Sequence, residues 1–238
     1  MRQKKIIMTG GSGRFAQVFK KIKKNVKIYY PSKNLLNIEK PETIKKYIKK
    51  IKPDYFIHCA ALSRPMNIHD KNIERSITTN IIGTSNIVKI CSKEKIKLIY
   101  FSTNYVYPGI KGDYKESDPI LPINKYAISK FGGECAVQLY DNSLILRICM
   151  TEKPFIHKKA FNDVETNFMY HHEFAKHLLK LIDYKGIINV GGPKKIIYNF
   201  AKETKKDVIS ESSKKIIGKQ FPKKQTMNIK KYLKIIKN

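Results

Sequence analysis

A tyrosine and a lysine four residues apart could carry acid–base chemistry in this chain. Tyr126 and Lys130 are separated by Ala-Ile-Ser, so a helix would place both side chains on one face. An ammonium group near a phenol favours the phenolate, which lowers the cost of exchanging a proton with a carbonyl or an alcohol. The same spacing also arises by chance on solvated helix faces of lysine-rich chains. Neighbouring motifs must decide between the two interpretations.

Two hydroxyl residues follow an apolar segment shortly before this tyrosine. Residues 97–101 read Lys-Leu-Ile-Tyr-Phe, and Ser102 and Thr103 come directly after them. Because open α/β sheets build their sites at the carboxyl ends of strands, Thr103 is predicted to hydrogen-bond the reacting oxygen. Ser102 is the rival for that role. Ordinary capping of a strand end is the alternative interpretation of both residues.

A glycine-rich turn near the N-terminus is a candidate phosphate site. Gly10 and Gly13 stand between a short apolar segment and a helical pattern that begins near Arg14 and Phe15. Gly10 permits a tight turn, Gly13 lets the backbone approach a pyrophosphate, and Ala16 lets the helix pack on the strand. The helix N-terminus adds N–H donors. The turn therefore predicts dinucleotide binding, although a plain strand-to-helix turn has the same residue pattern.

The residues after the second predicted strand bear on which dinucleotide would bind. NAD-binding domains commonly place an Asp or Glu there for the ribose hydroxyls, whereas cations accommodate the extra phosphate of NADP. In this chain Tyr30 and Pro31 are followed by Ser32 and Lys33, with no acid. The sequence therefore favours NADP (NADPH) over NAD as the cofactor.

The elements that must position these residues are visible as short apolar segments alternating with longer amphipathic ones. Strands are predicted at residues 5–8, 26–30, 55–58, 97–101, 143–148 and 186–190, and helices at residues 14–24, 41–51, 73–93, 124–140 and 173–182. This alternation predicts an α/β fold of the Rossmann type, a doubly wound parallel sheet.

The chain is predicted to divide unequally. Residues 1–150 are expected to form the NAD(P)-binding Rossmann domain. Residues 151–238 are expected to form a small, shortened C-terminal substrate-binding region, interleaved with the last Rossmann elements. The lysine-rich tail from Lys214 onward is amphipathic, which predicts a helix with a solvated face.

The net charge of +29 suggests a polyanionic partner at first sight. Only five of the 48 basic residues are arginines, and the lysines are spread along the whole chain, so no localised nucleic-acid or membrane patch is indicated. We interpret the lysine content as a compositional bias, although the charge would help to attract a doubly negative substrate.

The remaining metal-binding and thiol residues suggest no further chemistry. The four cysteines include no C-x-x-C pair, and the spacing of His171, His172 and His177 does not place them on one helical face, so no metal site is predicted. Free thiols and the absence of a segment long enough to span a membrane indicate a cytoplasmic location.

Taken in order, these motifs resemble the extended short-chain dehydrogenase/reductase family. Within that family the chain looks most similar to the dTDP-4-dehydrorhamnose reductases and related nucleotide-sugar reductases. The resemblance is carried by the glycine turn, by residues 58–61, 80–84, 102–107, 112–124 and 126–130, and by the following Gly133 and Glu134. It implies NAD(P)-dependent reduction of a keto group on a nucleotide-activated deoxysugar.

The resemblance also implies roles for individual residues. It makes Thr103, Tyr126 and Lys130 the catalytic set, with Tyr126 as the proton donor and Lys130 also binding the nicotinamide ribose. Asn80 matches a structural position behind the site. The expected cofactor-binding residues are Gly10, Gly13, Arg14, Phe15, Ser32, Lys33, Asn37, Ala60, Ala61, Leu62, Ser102, Tyr126 and Lys130.

Two departures from the family pattern leave alternatives open. Asn104 stands where the family usually has an Asp, and residues 151–164 are expected to be shorter than the corresponding substrate region. A nucleotide-sugar epimerase or dehydratase would use the same cofactor without net consumption. A non-catalytic NAD(P)-binding regulatory subunit is the third hypothesis. The sequence is also compatible with a homodimer.

Overall fold

The computed structural model describes residues 3–215 and 222–237. The strands in chain order are β1 (Lys5–Thr9), β2 (Lys27–Tyr29), β3 (Tyr55–His58), β4 (Lys97–Thr103), β5 (Ser143–Ile148), β6 (Met150–Thr151), β7 (Lys159–Phe161), β8 (Glu165–Thr166), β9 (Met169–Tyr170), β10 (Gly186–Val190), β11 (Lys195–Ile196) and β12 (Ile209–Glu211). The α-helices are α1 (Arg14–Lys20), α2 (Pro41–Ile51), α3 (Ile68–Lys71), α4 (Ile73–Ser76), α5 (Gly83–Lys93), α6 (Lys125–Gln138), α7 (His171–Leu181), α8 (Ile197–Lys202) and α9 (Lys230–Lys237).

The central sheet has six strands in the order β10-β5-β4-β3-β1-β2. Every pairing within it is parallel. After β1 the chain first adds β2 on one side and then crosses to add β3 on the other. The direction of the strand order therefore reverses between β1 and β3, which is where open α/β sheets form their binding crevice.

Helices cover both faces of this sheet, because successive strand residues point to opposite sides. Ile6 and Met8 enter a core cluster with α1, α7 and α9, whereas Ile7 enters the cluster beneath α2, α5 and α6. The near-continuous burial of the central strands is what a parallel sheet covered twice requires. The predicted doubly wound α/β fold is confirmed.

The largest differences from the predicted helix boundaries lie in two places. The first helix ends at Lys20, four residues early, and the long helix predicted over residues 73–93 contains a π-helical turn at Ile77–Ile82 between α4 and α5. π-helical turns often occur at functional sites. Here the turn carries Asn80, which it directs toward the loop after β3.

The part of the chain after Met150 contributes to the main sheet as well as forming its own small cluster. Strand β10 pairs with β5 along its whole length, while β7, α8 and the residues around them enclose a separate apolar cluster. The division at residue 150 stays a prediction.

The described end of the lysine-rich tail is an amphipathic helix, as the sequence predicts. Helix α9 buries Tyr232 and Ile235 against the main core, and its other face is lysine-rich. Residues 216–221 of that tail lie outside the described residues. Within the described ranges no helix is both long and apolar enough to cross a membrane.

Candidate active site

A cavity of about 1430 Å³ opens at the carboxyl edge of the sheet, where β1 and β3 diverge. It extends from the glycine turn, past the ends of β3 and β4, to the segments that follow β5. Every predicted catalytic or cofactor-binding residue lines it except Leu62. The structure thus brings together residues that lie more than a hundred positions apart in the sequence.

The glycine turn is held close to the end of β3. Gly10 has φ +74°, and a methyl group on its Cα would come within 2.9 Å of the backbone nitrogen of Ala60. Gly13 N donates to Gly10 O at 2.8 Å and Gly13 caps α1 without any side-chain hydrogen bond. The first turn of α1 contains no acidic residue. This geometry suits an anionic ligand at the turn.

The buried His58 fixes the position of the neighbouring Ala60 segment. Thr9 Oγ1 lies 2.9 Å from His58 Nδ1 and accepts from Ala60 N at 3.2 Å, while His58 Nε2 lies 3.1 Å from Thr84 Oγ1. Burial lowers the pKa of His58 to about 3, so the ring is neutral. The interpretation of His58 as structural agrees with these contacts.

Leu62 is placed differently from its neighbours Ala60 and Ala61, which line the cavity. Leu62 N donates to Asn80 Oδ1 at 2.8 Å, and Asn80 Nδ2 donates to Leu62 O at 2.9 Å. Asn80 Nδ2 also donates to Ser129 Oγ, one residue before Lys130. Asn80 therefore links the loop after β3 to the helix that carries Tyr126 and Lys130, and Leu62 belongs to this support and does not line the cavity.

Tyr126 lies in the first turn of α6, which Asn124 begins by accepting a hydrogen bond from Ala127 N at 2.8 Å. Burial raises the pKa of Tyr126 to about 12, and a hydrogen bond with Thr103 opposes that rise. The positive charges of Arg64 and Arg14 also lower the pKa of this phenol. Tyr126 is therefore protonated at neutral pH, with a hydroxyl and two cations available to stabilise its anion.

Burial is the largest influence on the pKa of both Tyr126 and Lys130, and the predicted effect of Lys130 on Tyr126 stays a prediction. Burial lowers the pKa of Lys130 to about 7, while Cys59 and Glu134 act in the opposite direction. The ammonium lies 4.1 Å from the centroid of the Tyr100 ring. Removal from water outweighs proximity at both residues, so the phenol keeps a high pKa and the amine a low one.

The hydroxyl groups of Ser102 and Thr103 have different partners, and this distinguishes their roles. Ser102 Oγ donates to Glu134 Oε2 at 2.5 Å, so its hydroxyl faces the sheet interior although the residue contributes to the cavity wall. Glu134 Oε1 accepts from Arg147 Nη2 at 2.7 Å, and both side chains are buried. Thr103, whose hydroxyl faces Tyr126, is thus better placed than Ser102 to contact a reacting oxygen.

An acid missed in the sequence lies at the other end of the cavity. Ser32, Lys33 and Asn37 line that end as predicted, and Glu39 lies there with them. Glu39 Oε2 accepts from Lys33 Nζ at 3.3 Å, and Glu39 Oε1 accepts from Thr79 Oγ1 at 2.9 Å. No acid follows β2 directly in the sequence, but Glu39 still supplies a carboxylate at this end of the cavity.

A second missed feature is a carboxylate shared by two arginines. Glu152 Oε1 accepts from Arg14 Nη1 at 3.0 Å and from Arg64 Nη1 at 3.1 Å. The three residues come from the glycine turn, the loop after β3 and the segment after β6, and all line the cavity. The rarity of arginine in this chain was a signal that could have indicated this cluster. Three of the five arginines, Arg14, Arg64 and Arg75, line the cavity.

The cysteines and histidines set aside in the sequence have ordinary surroundings. The four cysteines are free, and burial raises the pKa of Cys59 to about 12, which leaves its thiol neutral. His177 Nδ1 lies 2.8 Å from Tyr232 Oη, and His171 contacts the Phe15 ring edge-on. Across the described ranges no group of three or more His, Cys, Asp or Glu residues is arranged to hold a metal ion.

A glycine turn at the switch point of a parallel sheet, sharing one cavity with threonine, tyrosine and lysine, defines the extended short-chain dehydrogenase/reductase class. The chain belongs to the family described as the RmlD substrate binding domain, whose model matches residues 4–185. The family resemblance of the sequence motifs is thereby confirmed.

Curated relatives with two different names match part of this chain. Methionine adenosyltransferase 2 subunit beta of Xenopus laevis is 30% identical over 155 residues, which are 61% of this chain and 46% of that protein. dTDP-4-dehydrorhamnose reductase of Mycolicibacterium smegmatis is 27% identical over 137 residues, which are 56% of this chain and 41% of that protein. The matched part spans about half the length of these relatives, or less.

A solved structure extends the likeness of the fold to nearly the whole chain. The crystal structure of dTDP-4-dehydrorhamnose reductase from Bacillus anthracis in complex with NADP superposes with a TM-score of 0.84 at 23% identity. The superposition covers 98% of this chain and 92% of that one. The predicted shortening of residues 151–164 stays a prediction.

Proposed function

We propose that this chain is an NAD(P)-dependent reductase of a keto group on a nucleotide-activated deoxysugar, similar in activity to the dTDP-4-dehydrorhamnose reductases. The observation that carries the proposal is the convergence of Thr103, Tyr126 and Lys130 on the cavity that the glycine turn also lines. A proton donor and a dinucleotide turn in one cavity are what hydride transfer to a carbonyl requires.

The residues present fit a nicotinamide dinucleotide. Gly10 and Gly13 leave the backbone bare where a pyrophosphate would approach, and the uncapped start of α1 follows them. The cavity is long enough to reach from the Ser32 end to Tyr126 and Lys130. In this proposal Ala60 and Ala61 pack against the dinucleotide, while Lys130 binds the ribose next to the nicotinamide.

The proposed chemistry divides between the cofactor and the chain. A bound reduced nicotinamide supplies the hydride that adds to the carbonyl carbon. Tyr126 donates its phenolic proton to the carbonyl oxygen, and Thr103 hydrogen-bonds that oxygen and orients it. With a pKa of about 12, Tyr126 holds its proton until the oxygen becomes basic, and Thr103, Arg64 and Arg14 then stabilise the phenolate.

The finer proposal is that NADPH is preferred to NADH. Its support is the pair Ser32 and Lys33, whose positive charge could reach a 2′-phosphate, whereas the contact of Lys33 with Glu39 opposes it. The dissociation constants of the two reduced cofactors, measured by fluorescence titration, test this preference. Tighter binding of NADH would reverse it.

Replacement of Tyr126 by Phe tests the proposed reaction. Because the proton donor is lost while the ring remains, turnover of dTDP-4-dehydrorhamnose with NADPH should fall by about a hundredfold or more. Loss of nicotinamide absorbance is the measurement, with NADPH binding and thermal unfolding as controls. Tyr184→Phe, at an exposed tyrosine after α7, should retain wild-type turnover. An active Y126F variant would refute the assignment of the proton donor.

One comparison supports a second candidate function. The Xenopus laevis relative is named as a subunit of methionine adenosyltransferase, which favours a non-catalytic NAD(P)-binding subunit as the alternative. A protein of that kind would bind NADPH but consume none with any nucleotide-sugar. An epimerase would convert its substrate without net cofactor loss, so the same assay with product analysis separates all three.

A further inference from the structure

The mouth of the cavity carries more positive charge than its carboxylates balance. Among the described residues that line the cavity, eight are Lys or Arg and three are Glu. Two of those glutamates already contact Lys33 and Lys159. The third, Glu152, is shared by Arg14 and Arg64, so one guanidinium charge of this cluster is left without a matching anion.

Neighbouring histidines do not change this balance. Burial lowers the pKa of His171 to about 4, and burial together with the charge of Arg64 lowers the pKa of His157. Both rings are therefore neutral near pH 7 and add no charge. The pair Arg14 and Arg64 therefore keeps one unmatched positive charge beside Glu152.

Arg64 lies on the substrate side of the cluster. The charges of Arg64 and Arg14 both lower the pKa of Tyr126 and of His157, and the charge of Arg64 also lowers the pKa of Tyr105, the residue that follows Asn104. Arg14 instead belongs to the glycine turn, where the proposed dinucleotide would occupy it. Arg64 Nη2 reaches Glu152 Oε2 at 3.4 Å, a longer contact than either bond to Oε1.

A buried donor without a partner lies at the same end of the cavity. Asn104 follows Thr103, lines the cavity and is 6% exposed. Its Nδ2 has no hydrogen-bond partner among the described residues. A buried N–H group of this kind is costly unless something accepts from it, which points to an acceptor on a ligand. An Asp at this position could not donate in its ionised form.

We propose that Arg64 and Asn104, which line the same cavity, bind an anionic group of the substrate, a carboxylate or a phosphate, on the same molecule that presents its carbonyl to Tyr126. The inference rests on the proposed function and names a charge that the substrate must carry. Glu152 holds the Arg64 guanidinium in the free protein and releases it when the anion of the substrate takes its place. Asn104 then donates its free N–H to an oxygen of the substrate.

Titration of the NADP⁺-saturated protein by calorimetry tests this site. The probes are UDP-glucose, UDP-glucuronate and inorganic pyrophosphate, and the variant is Arg64→Leu. Loss of a charge-assisted hydrogen-bond pair should weaken binding about tenfold or more. A loss confined to UDP-glucuronate identifies a carboxylate as the anion, whereas an equal loss for all three probes identifies the phosphates.

Two further variants separate a binding role from a general effect of charge. Glu152→Gln removes the internal competitor for Arg64 and should tighten probe binding severalfold, and this gain should disappear when Arg64→Leu is also present, whereas a general effect of charge would persist. Lys89→Leu, at an exposed cation of α5 that does not line the cavity, should leave binding unchanged.

The inference is overturned if Arg64→Leu binds every probe as the wild type does, or if the cofactor-loaded wild type binds none of them. Its failure is distinct from failure of the proposed function, which is measured by hydride transfer and by the Tyr126 variant. If NADP⁺ itself does not bind, the proposed function fails, and the same titration of the free protein decides whether the anion site stands.

Discussion

Two arginine–glutamate clusters among the described residues differ in one physical respect, the access of their side chains to water. Arg147 and Glu134 are 2% and 0% exposed, whereas Arg64 and Glu152 are 36% and 16% exposed. The buried cluster lies under the sheet edge and the open one at the mouth of the cavity. The same two residue types can therefore serve as a fixed support or as an exchangeable site, depending on burial.

The buried cluster has a partner for each of its charges. Arg147 Nε and Nη2 donate to Glu134 Oε1, and Arg147 Nη1 donates to the hydroxyl of Tyr107 at 2.7 Å. Tyr107 Oη in turn donates to Asn189 Oδ1 at 2.8 Å. Because α6, β5 and β10 all contribute, this network fixes helix α6, which carries Tyr126 and Lys130, relative to the far edge of the sheet. Breaking it leaves a charge with no access to solvent.

The largest predicted effect comes from breaking the buried pair. Arg147→Met leaves the Glu134 carboxylate buried and unpaired, and should lower the free energy of unfolding by about 3–5 kcal/mol. Urea denaturation followed by circular dichroism measures the change. The double variant Glu134→Leu with Arg147→Met removes both charges and should recover part of the loss. A loss of less than about 1 kcal/mol for R147M would contradict the proposed difference in stability contribution between the buried pair and the exposed Arg64–Glu152 pair.

A change of opposite sign is expected at Lys130, a buried cation without a carboxylate bonded to it. Its pKa of about 7 in the folded protein lies below the ordinary 10.5, so folding penalises the charged form. The penalty is fully present below about pH 7 and fades as the pH rises toward 10.5, where the unfolded chain also loses the proton.

Lys130→Met should therefore stabilise the unliganded protein by about 2 kcal/mol at pH 6, less than the full conversion of the pKa shift because the contact with Tyr100 is altered. The gain should shrink by pH 9.5, and reductase turnover should be lost. Urea denaturation at the two pH values is the measurement. A gain independent of pH would show that charge is not its cause.

The smallest effect on stability is expected at the open cluster. Glu152→Gln keeps the shape of the side chain and removes a charge that water and salt already screen, so the free energy of unfolding should change by less than about 1 kcal/mol. The same denaturation assay as for R147M measures it. A decrease in the free energy of unfolding as large as that of R147M would show that the Arg64–Glu152 cluster supports the fold.

The sequence predicted the fold well where local patterns are strong. Strands at residues 55–58, 143–148 and 186–190 and the helix at residues 41–51 have the predicted bounds. Apolar runs mark strands buried on both faces, and Pro41 marks a helix start. The π-helical turn around Asn80 was not foreseen, because it depends on contacts with Leu62 and with α6 rather than on residue propensities.

The candidate site was predictable only in its local motifs. The glycine turn and the Tyr126–Lys130 pair are contiguous, so their geometry follows from short-range structure. The contact between Arg64 and Glu152 joins residues 88 positions apart, and no periodicity announces it. The lowered pKa of Lys130 could not be predicted from the sequence either, because it results from burial, which depends on the packing of residues distant in the sequence.

Strand β10 has a consequence for how the chain is made. Every residue of β5 is buried, and the outer edge of β5 is covered only when Gly186–Val190 pairs with it. A growing polypeptide therefore presents the turn, the catalytic pair and an uncovered hydrophobic strand edge before the residues that protect that edge leave the ribosome. Residues in the last third of the chain thus cover an edge at which incomplete sheets could pair with one another, and they also line part of the cavity.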